Sequence, residues 1–166
     1  MKPIPKAGIV LGVLVVIWMY VMGVTGWYKD PALLNLFYIV ILVEVAVLFW
    51  GLKMTAAQGR GYGGQVGAGT LMSVIGAVII LVGSYLFTAF VYPNYFHELN
   101  ETYRALGPSR GLTPEQVEAQ LAAMAPMQTP LFNALTGAFM TVVTGFVASL
   151  IIGAFVKSKT PAATKA

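Results

Sequence analysis

The sequence predicts an all-α integral membrane protein, a four-helix bundle with two short amphipathic helices between the third and fourth spans. Hydrophobic residues make up 58% of the 166-residue chain and charged residues only 10%, whereas about a quarter of the residues of a soluble domain are charged. Four apolar runs each have about the twenty residues that cross a bilayer as a helix. Basic residues, finally, concentrate at alternate ends of these runs.

The predicted spans are residues 8–28, 33–52, 70–92 and 131–156. They belong to a single membrane domain over residues 1–166, with a helical cap at 94–128 and a cytoplasmic tail at 157–166. The first run continues through Trp18 and Trp27 without a small-residue cleavage site, so it indicates a span rather than a cleaved signal.

The basic residues predict the orientation of the spans. Seven of the ten lie on the side that carries both termini, and three lie on the other. The positive-inside rule therefore predicts cytoplasmic termini in a bacterial inner membrane. Because topology explains the net charge of +4, no nucleic-acid partner is expected. The seven are Lys2, Lys6, Lys53, Arg60, Lys157, Lys159 and Lys165; the three are Lys29, Arg104 and Arg110.

The connections between spans carry their own signals. Asp30 followed by Pro31 is the pattern of a helix N-cap and first helical residue, which predicts a very short turn into the second span. Residues 54–69, MTAAQGRGYGGQVGAG, contain six glycines. Their order is not that of a phosphate-binding loop, so they predict a flexible or re-entrant connector.

Two helices are predicted in the polar region between the third and fourth spans. Asn94 can cap the first, and Gly107 with Pro108 ends it. Thr113 and Gln116 form a capping box at the start of the second. Both helices are expected to lie on the outer surface of the membrane or on the outer end of the bundle. Their apolar faces consist of Phe96, Leu99, Tyr103 and Leu106 in the first and Val117, Leu121 and Met124 in the second.

Several of these segments in this order resemble a family of small four-helix bacterial membrane proteins known only as a domain of unknown function. They are GYGGQVGAG, Tyr92-Pro93 with Glu98 and Glu101, GLTPEQVEAQ and ASLIIGAFVKSK. The resemblance covers most of the chain, with its distinctive part between residues 61 and 159. It implies the four-span fold and no established activity.

Glu44, near the middle of the second span, is the main candidate for a functional residue. An ionisable side chain at the centre of a bilayer costs roughly 3 kcal/mol or more, so it usually faces inward and has a partner or a function. It can serve a proton relay or a substrate site with the hydroxyls of the third and fourth spans, or it can be a protonated acid that hydrogen-bonds a neighbouring helix and fixes its packing. The second interpretation is favoured, because the spans offer no base to complete a relay. Those hydroxyls are Ser84, Thr141, Thr144 and Ser149.

Small residues recur every four positions on the last span and predict a shallow groove that lets another helix backbone approach. The groove can seat a helix of the same bundle, which is favoured, or a second protein. Its residues are Gly137, Thr141, Gly145, Ser149 and Gly153; smaller series are Gly8 with Gly12, and Gly69, Ser73 and Ala77.

His97, the one histidine, lies just outside the third span. It can be an axial ligand of a metal or a pigment, but the sequence supplies no second ligand, so a place in an interfacial helix is favoured. The chain has no cysteine and no nucleophile, base and acid set. We therefore expect no enzyme, no metal and no cofactor.

These observations favour a non-enzymatic accessory or scaffold subunit that packs against a larger membrane complex. Its partners would be membrane lipids and other membrane subunits or a second copy of the chain. The alternative is a small transporter or channel subunit that uses Glu44. A wet polar path to Glu44 would distinguish the alternative from the favoured function.

Overall fold

The computed structural model describes residues 2–156, which are helical and contain no β-strand over that range. The predicted all-α fold is confirmed. The cytoplasmic tail predicted at 157–166 lies outside the described residues. The α-helices are α1 (Pro3–Thr25), α2 (Ile39–Ala56), α3 (Tyr62–Leu86), α4 (Tyr95–Leu106), α5 (Pro114–Met124) and α6 (Pro130–Phe155).

Four helical segments are long and apolar enough to cross a membrane, which makes the chain a multi-pass membrane protein. They are Pro3–Thr25, Leu34–Ala56, Tyr62–Val91 and Pro130–Phe155. The largest difference from the predicted bounds is in the third segment, which begins eight residues earlier than residue 70. Residues 94–128 lie between the ends of the last two segments and form the cap, which contains α4 and α5.

Helix α3 is the centre of the bundle and packs most extensively against α6 and α1. Glycines on α1 explain the closeness of that contact. A Cβ at Gly8 would lie 2.7 Å from Ile75 Cβ, and one at Gly12 would lie 2.7 Å from Ile79 Cβ. Helix α2 closes the core from the other side. The core residues that are fully shielded include Ala7, Leu11, Leu48, Leu52 and Met72.

The prediction that residues 54–69 form a connector was wrong. Residues 54–56 complete α2, and α3 already begins at Tyr62, so only residues 57–61 connect the two helices. Glycine lowers helix propensity by about 1 kcal/mol per residue, but side-chain packing and helix continuity outweigh that cost here. Gly69, for example, is buried against Ser149 of α6.

The turn into the second span also differs from the prediction. The Asp30 carboxylate accepts a hydrogen bond from the Ala32 N–H at 2.8 Å and so closes a turn instead of capping a helix. A 3-10 helix, Leu34–Tyr38, follows, and the α-helix begins only at Ile39. The Trp18 indole N–H donates to the Leu36 carbonyl at 3.1 Å, which ties this segment to α1.

The cap contains both predicted helices. Thr113 and Gln116 form the complete capping box at the start of α5. Asn94 occupies the N-cap position of α4, but its side chain makes no capping hydrogen bond, contrary to the prediction. Between α3 and the cap, Phe87–Val91 forms a π-helix, a widened turn of a kind often found near functional sites.

Candidate functional site

Glu44 lies near the middle of its span and is 5% exposed. Thr144 Oγ1 on α6 lies 2.5 Å from Glu44 Oε2, and Ser73 Oγ on α3 lies 3.4 Å from Oε1. The carboxyl group therefore connects α2 with both neighbouring helices. This three-helix contact is the Glu44 seam.

The hydrogens at the Glu44 seam can be assigned by counting donors. Thr144 Oγ1 also lies 2.8 Å from the Met140 carbonyl, yet its hydroxyl has one hydrogen to donate. A protonated Glu44 can donate to Thr144 Oγ1 while Thr144 donates to the Met140 carbonyl. Each of these three groups then has a hydrogen-bond partner. An ionised Glu44 instead takes the Thr144 hydrogen for itself. The neutral arrangement suits an apolar site, where an unpaired charge is costly.

Three of the four hydroxyls that the sequence offered to Glu44 bond elsewhere. Ser84 accepts from the Asn133 amide at 3.1 Å, and Thr141 and Ser149 donate to carbonyls of their own helix. Ser73 was missed as a Glu44 neighbour because its small size suggested a packing role. The signal that it faces Glu44 is the antiparallel pairing of α3 with α6, which sets Ser73 against Gly145.

The small residues of α6 divide into two groups. A Cβ at Gly145 would lie 2.6 Å from Ser73 Cβ and 2.8 Å from Glu44 Oε1, and one at Gly153 would lie 3.4 Å from Gln65 Cβ. These positions, with Ser149, contact α3 within the bundle. A Cβ at Gly137 would meet nothing within 4 Å. Only the part of the predicted groove from Gly145 to Gly153 therefore packs against α3.

Gln65 is a site residue that sequence reasoning did not single out. It is fully buried, and its amide donates to the Val156 carbonyl at 2.8 Å and to the Leu52 carbonyl at 3.2 Å. Its Oε1 accepts from the Thr55 hydroxyl at 2.5 Å. One side chain of α3 therefore bonds a carbonyl in the last turns of α2 and the C-cap carbonyl of α6, and so connects the ends of the three helices.

A cavity of about 400 Å³ lies between the cap and the bundle. Its wall is mostly apolar, and four of the eight methionines of the chain contribute to it. The apolar face predicted for α4 supplies Phe96, Leu99 and Tyr103. We call this space the cap cavity. Its other main contributors are Met19, Met22, Leu34, Asn35, Phe37, Tyr38, Phe87, Arg110, Met124, Met127, Gln128, Phe132, Asn133 and Thr136.

Polar contacts hold the cap to the bundle. Glu98 of α4 pairs with Lys29 at 2.9 Å and accepts a hydrogen bond from the buried Tyr28 hydroxyl. These bonds lower the pKa of Glu98 below that of an ordinary carboxyl. The side-chain amides of Asn100 and Gln128 bond each other reciprocally at 3.0 and 2.7 Å.

His97 is exposed on α4. The described part of the chain brings together no group of three or more histidine, cysteine, aspartate or glutamate side chains that could hold a metal ion.

Comparison with known proteins identifies the family. The sequence profile of the family described as "Protein of unknown function (DUF4199)" matches residues 6–158. The chain belongs to this family. The match spans all four membrane segments and the cap, as the resemblance of the quoted segments implied. No curated protein and no solved structure matches the chain, so membership of the DUF4199 family adds no activity to the geometry.

Proposed function

We propose that the protein is a non-enzymatic accessory or scaffold subunit that packs against another membrane protein along the first two turns of α3. The observation that supports this proposal is the exposure of Gly63 and Gly67. A Cβ added at either position would meet nothing within 4 Å. The two glycines are four residues apart and therefore share one face of the helix.

Glycine within a helix lowers stability by about 1 kcal/mol relative to alanine, so a compensating contact is expected where it occurs. Gly8, Gly12 and Gly69 make such a contact within the bundle, since each lies against a neighbouring helix. Gly63 and Gly67 make no such contact with the described residues. A second backbone that approaches this face closely would supply it, as small residues do at helix interfaces in membranes.

A single leucine at Gly67 tests the proposal. The tagged protein is purified from its native membrane in a mild detergent, and partners are quantified by mass spectrometry. Gly67→Leu is expected to reduce the partner at least about tenfold, because the side chain blocks close approach. Val78→Leu, a lipid-exposed change on the same helix, is the matched control and should retain the partner. A wild-type protein that purifies alone, or a Gly67→Leu variant that keeps its partner, would contradict the proposal.

The proposal includes a bacterial inner-membrane location with cytoplasmic termini. Its support is the charge distribution. Lys2, Lys6, Lys53 and Arg60 lie at the end of the bundle opposite the cap. At the cap end, Lys29 and Arg104 are paired with carboxylates, so the cationic excess is at the end that the positive-inside rule assigns to the cytoplasm.

The alternative proposal, a transporter or channel subunit that uses Glu44, has less support. Glu44 is enclosed by α3 and α6 and is not among the residues that line the cap cavity. Its contacts account for the carboxyl group as a connection between helices.

A further inference from the structure

The cap cavity lies where the apolar spans end and the polar cap begins. Its wall combines the last turns of α1, the start of the second span, the π-helix, the cap and the start of α6. A volume of about 400 Å³ is within the range of small-molecule sites. Because the apolar spans end at this level, we expect the cavity to lie at the interface between lipid headgroups and acyl chains.

The wall of the cavity is suited to a flexible apolar chain. Methionine side chains adapt to irregular shapes and form adjustable binding surfaces. Met19 and Met22 approach from α1, and Met124 and Met127 approach from the end of the cap. The π-helix places Phe87 in the same wall.

Arg110, at the rim of the cavity, carries a positive charge that has no ion-pair partner among the described residues. Lys29 and Arg104 each form ion pairs, but no carboxylate of residues 2–156 makes an ion pair with Arg110. Burial raises the pKa of the Tyr103 hydroxyl, which also interacts electrostatically with Tyr38 and Arg110. One guanidinium and two phenol hydroxyls therefore share this rim, and an arginine of this kind suits a phosphate.

Exposed side chains of two membrane-spanning segments contribute to the wall of the cavity. Among the lining residues, Phe37 and Tyr38 at the start of the second span and Phe132 at the start of α6 are exposed, as is Met127 beside them. A lipid tail can pass between these segments without entering water. The other tail of the same lipid can stay in the bilayer.

We propose that the cap cavity binds one acyl chain of an anionic phospholipid, whose phosphate group is held at the rim by Arg110. The proposal is independent of the α3 partner surface, which lies at the opposite end of the bundle. Charge complementarity selects the headgroup, and the apolar wall selects the chain.

Native mass spectrometry of the full chain tests this site. The protein is reconstituted in nanodiscs that contain equal amounts of phosphatidylglycerol and phosphatidylcholine, and retained lipid is counted after release. One phosphatidylglycerol per chain is expected to remain. Arg110→Gln should reduce that retention about tenfold, because a charge-assisted hydrogen bond is lost. Arg60→Gln removes an exposed arginine at the opposite end and should have no effect.

A second variant separates the chain-binding wall from the headgroup site. Thr136 is exposed and lines the cavity, so Thr136→Trp fills the space with little risk to folding. It should abolish the retention of phosphatidylglycerol, while circular dichroism shows an unchanged helical content. Equal retention of the two lipids by the wild-type protein, retention of a free fatty acid instead, or wild-type behaviour of both variants would overturn the proposal.

Discussion

Gly67 and Gly69 are two residues apart on α3 and point to nearly opposite sides of the helix. Gly67 is exposed, whereas a Cβ at Gly69 would lie 2.0 Å from Ser149 Oγ and 2.8 Å from Ser149 Cβ. The same residue type therefore serves a close helix contact at one position and leaves open surface at the other.

Alanine substitutions at these two positions should change stability in opposite directions. Gly69→Ala should lower the free energy of unfolding by about 1–3 kcal/mol, because the core must absorb an extra methyl group. Gly67→Ala should raise it by up to about 1 kcal/mol through helix propensity. Thermal unfolding in detergent, followed by circular dichroism, measures both.

Ser149→Gly in the Gly69→Ala background is the control, since it removes the side chain that the new methyl group meets. It should restore part of the lost stability as a coupled pair. A shift of the melting temperature in the same direction for both alanine variants would contradict the assigned contacts.

Glu44 should behave as a structural hydrogen-bonding group. Glu44→Gln keeps the shape and can still donate to Thr144, so the melting temperature should hardly change. Glu44→Ala leaves a cavity and two hydroxyls without their partner, at a cost of about 2 kcal/mol or more. Val45→Ala, at a lipid-exposed neighbour, is the matched control for truncation.

The same variants address the transport alternative. Reconstituted in liposomes, the wild-type protein and Glu44→Gln should show the same proton permeability. A proton flux that disappears in Glu44→Gln would support the alternative function, and a loss of stability in Glu44→Gln equal to that in Glu44→Ala would indicate that an ionised carboxylate is required.

At the scale of single elements, α4 depends on Glu98 for its attachment. The Tyr28 and Lys29 bonds lower the pKa of Glu98 in the folded state. A lowered carboxyl pKa stabilises the fold above the unfolded value of about 4.3, and the contribution is lost as the pH falls through the folded value. The docking of α4 should therefore weaken on acidification below about pH 4.

Hydrogen exchange of the α4 amides from Leu99 to Leu106, which bond carbonyls within the helix, measures this effect as protection factors between pH 6 and pH 3. The wild-type protein should lose protection towards the acid end, and Glu98→Gln should have lower protection at pH 6 and a smaller response to pH. Glu101→Gln makes the same charge change on α4 away from Tyr28 and Lys29 and should keep the wild-type response. An unchanged profile in Glu98→Gln would show that other contacts hold α4.

At the scale of the whole molecule, the arrangement of the four spans makes the orientation testable with single thiols, because the sequence has no cysteine. Gln58 and Ser109 are exposed at opposite ends of the bundle. An impermeant maleimide applied to intact spheroplasts should label Ser109→Cys. It should label Gln58→Cys only after the membrane is made permeable.

The two positions control for each other, since both carry the same small thiol on exposed backbone. The reverse pattern would place the cap in the cytoplasm and contradict the proposed orientation. Equal labelling of both positions in intact cells would mean that the chain inserts in two orientations.

The amino-acid sequence was sufficient to predict the four spans, the helical cap and the capping box of α5. These features follow from local signals: apolar length sets a span, and neighbouring side chains satisfy the first N–H groups of a helix. The first turns of α3 were misassigned, because six nearby glycines indicate a connector when their packing is unknown. Local propensity was overridden by contacts that are distant in sequence.

Contacts between polar groups of different helices could not be predicted from the sequence and are seen only in the folded structure. The pairing of Glu44 with Ser73 and Thr144 joins residues up to 100 positions apart, and Gln65 reaches a carbonyl 91 positions away. Such partners depend on the rotation and depth of each helix in the bundle, which close glycine contacts determine and which apolar composition leaves open. The cap cavity arises in the same way, from five segments that share no pattern along the chain.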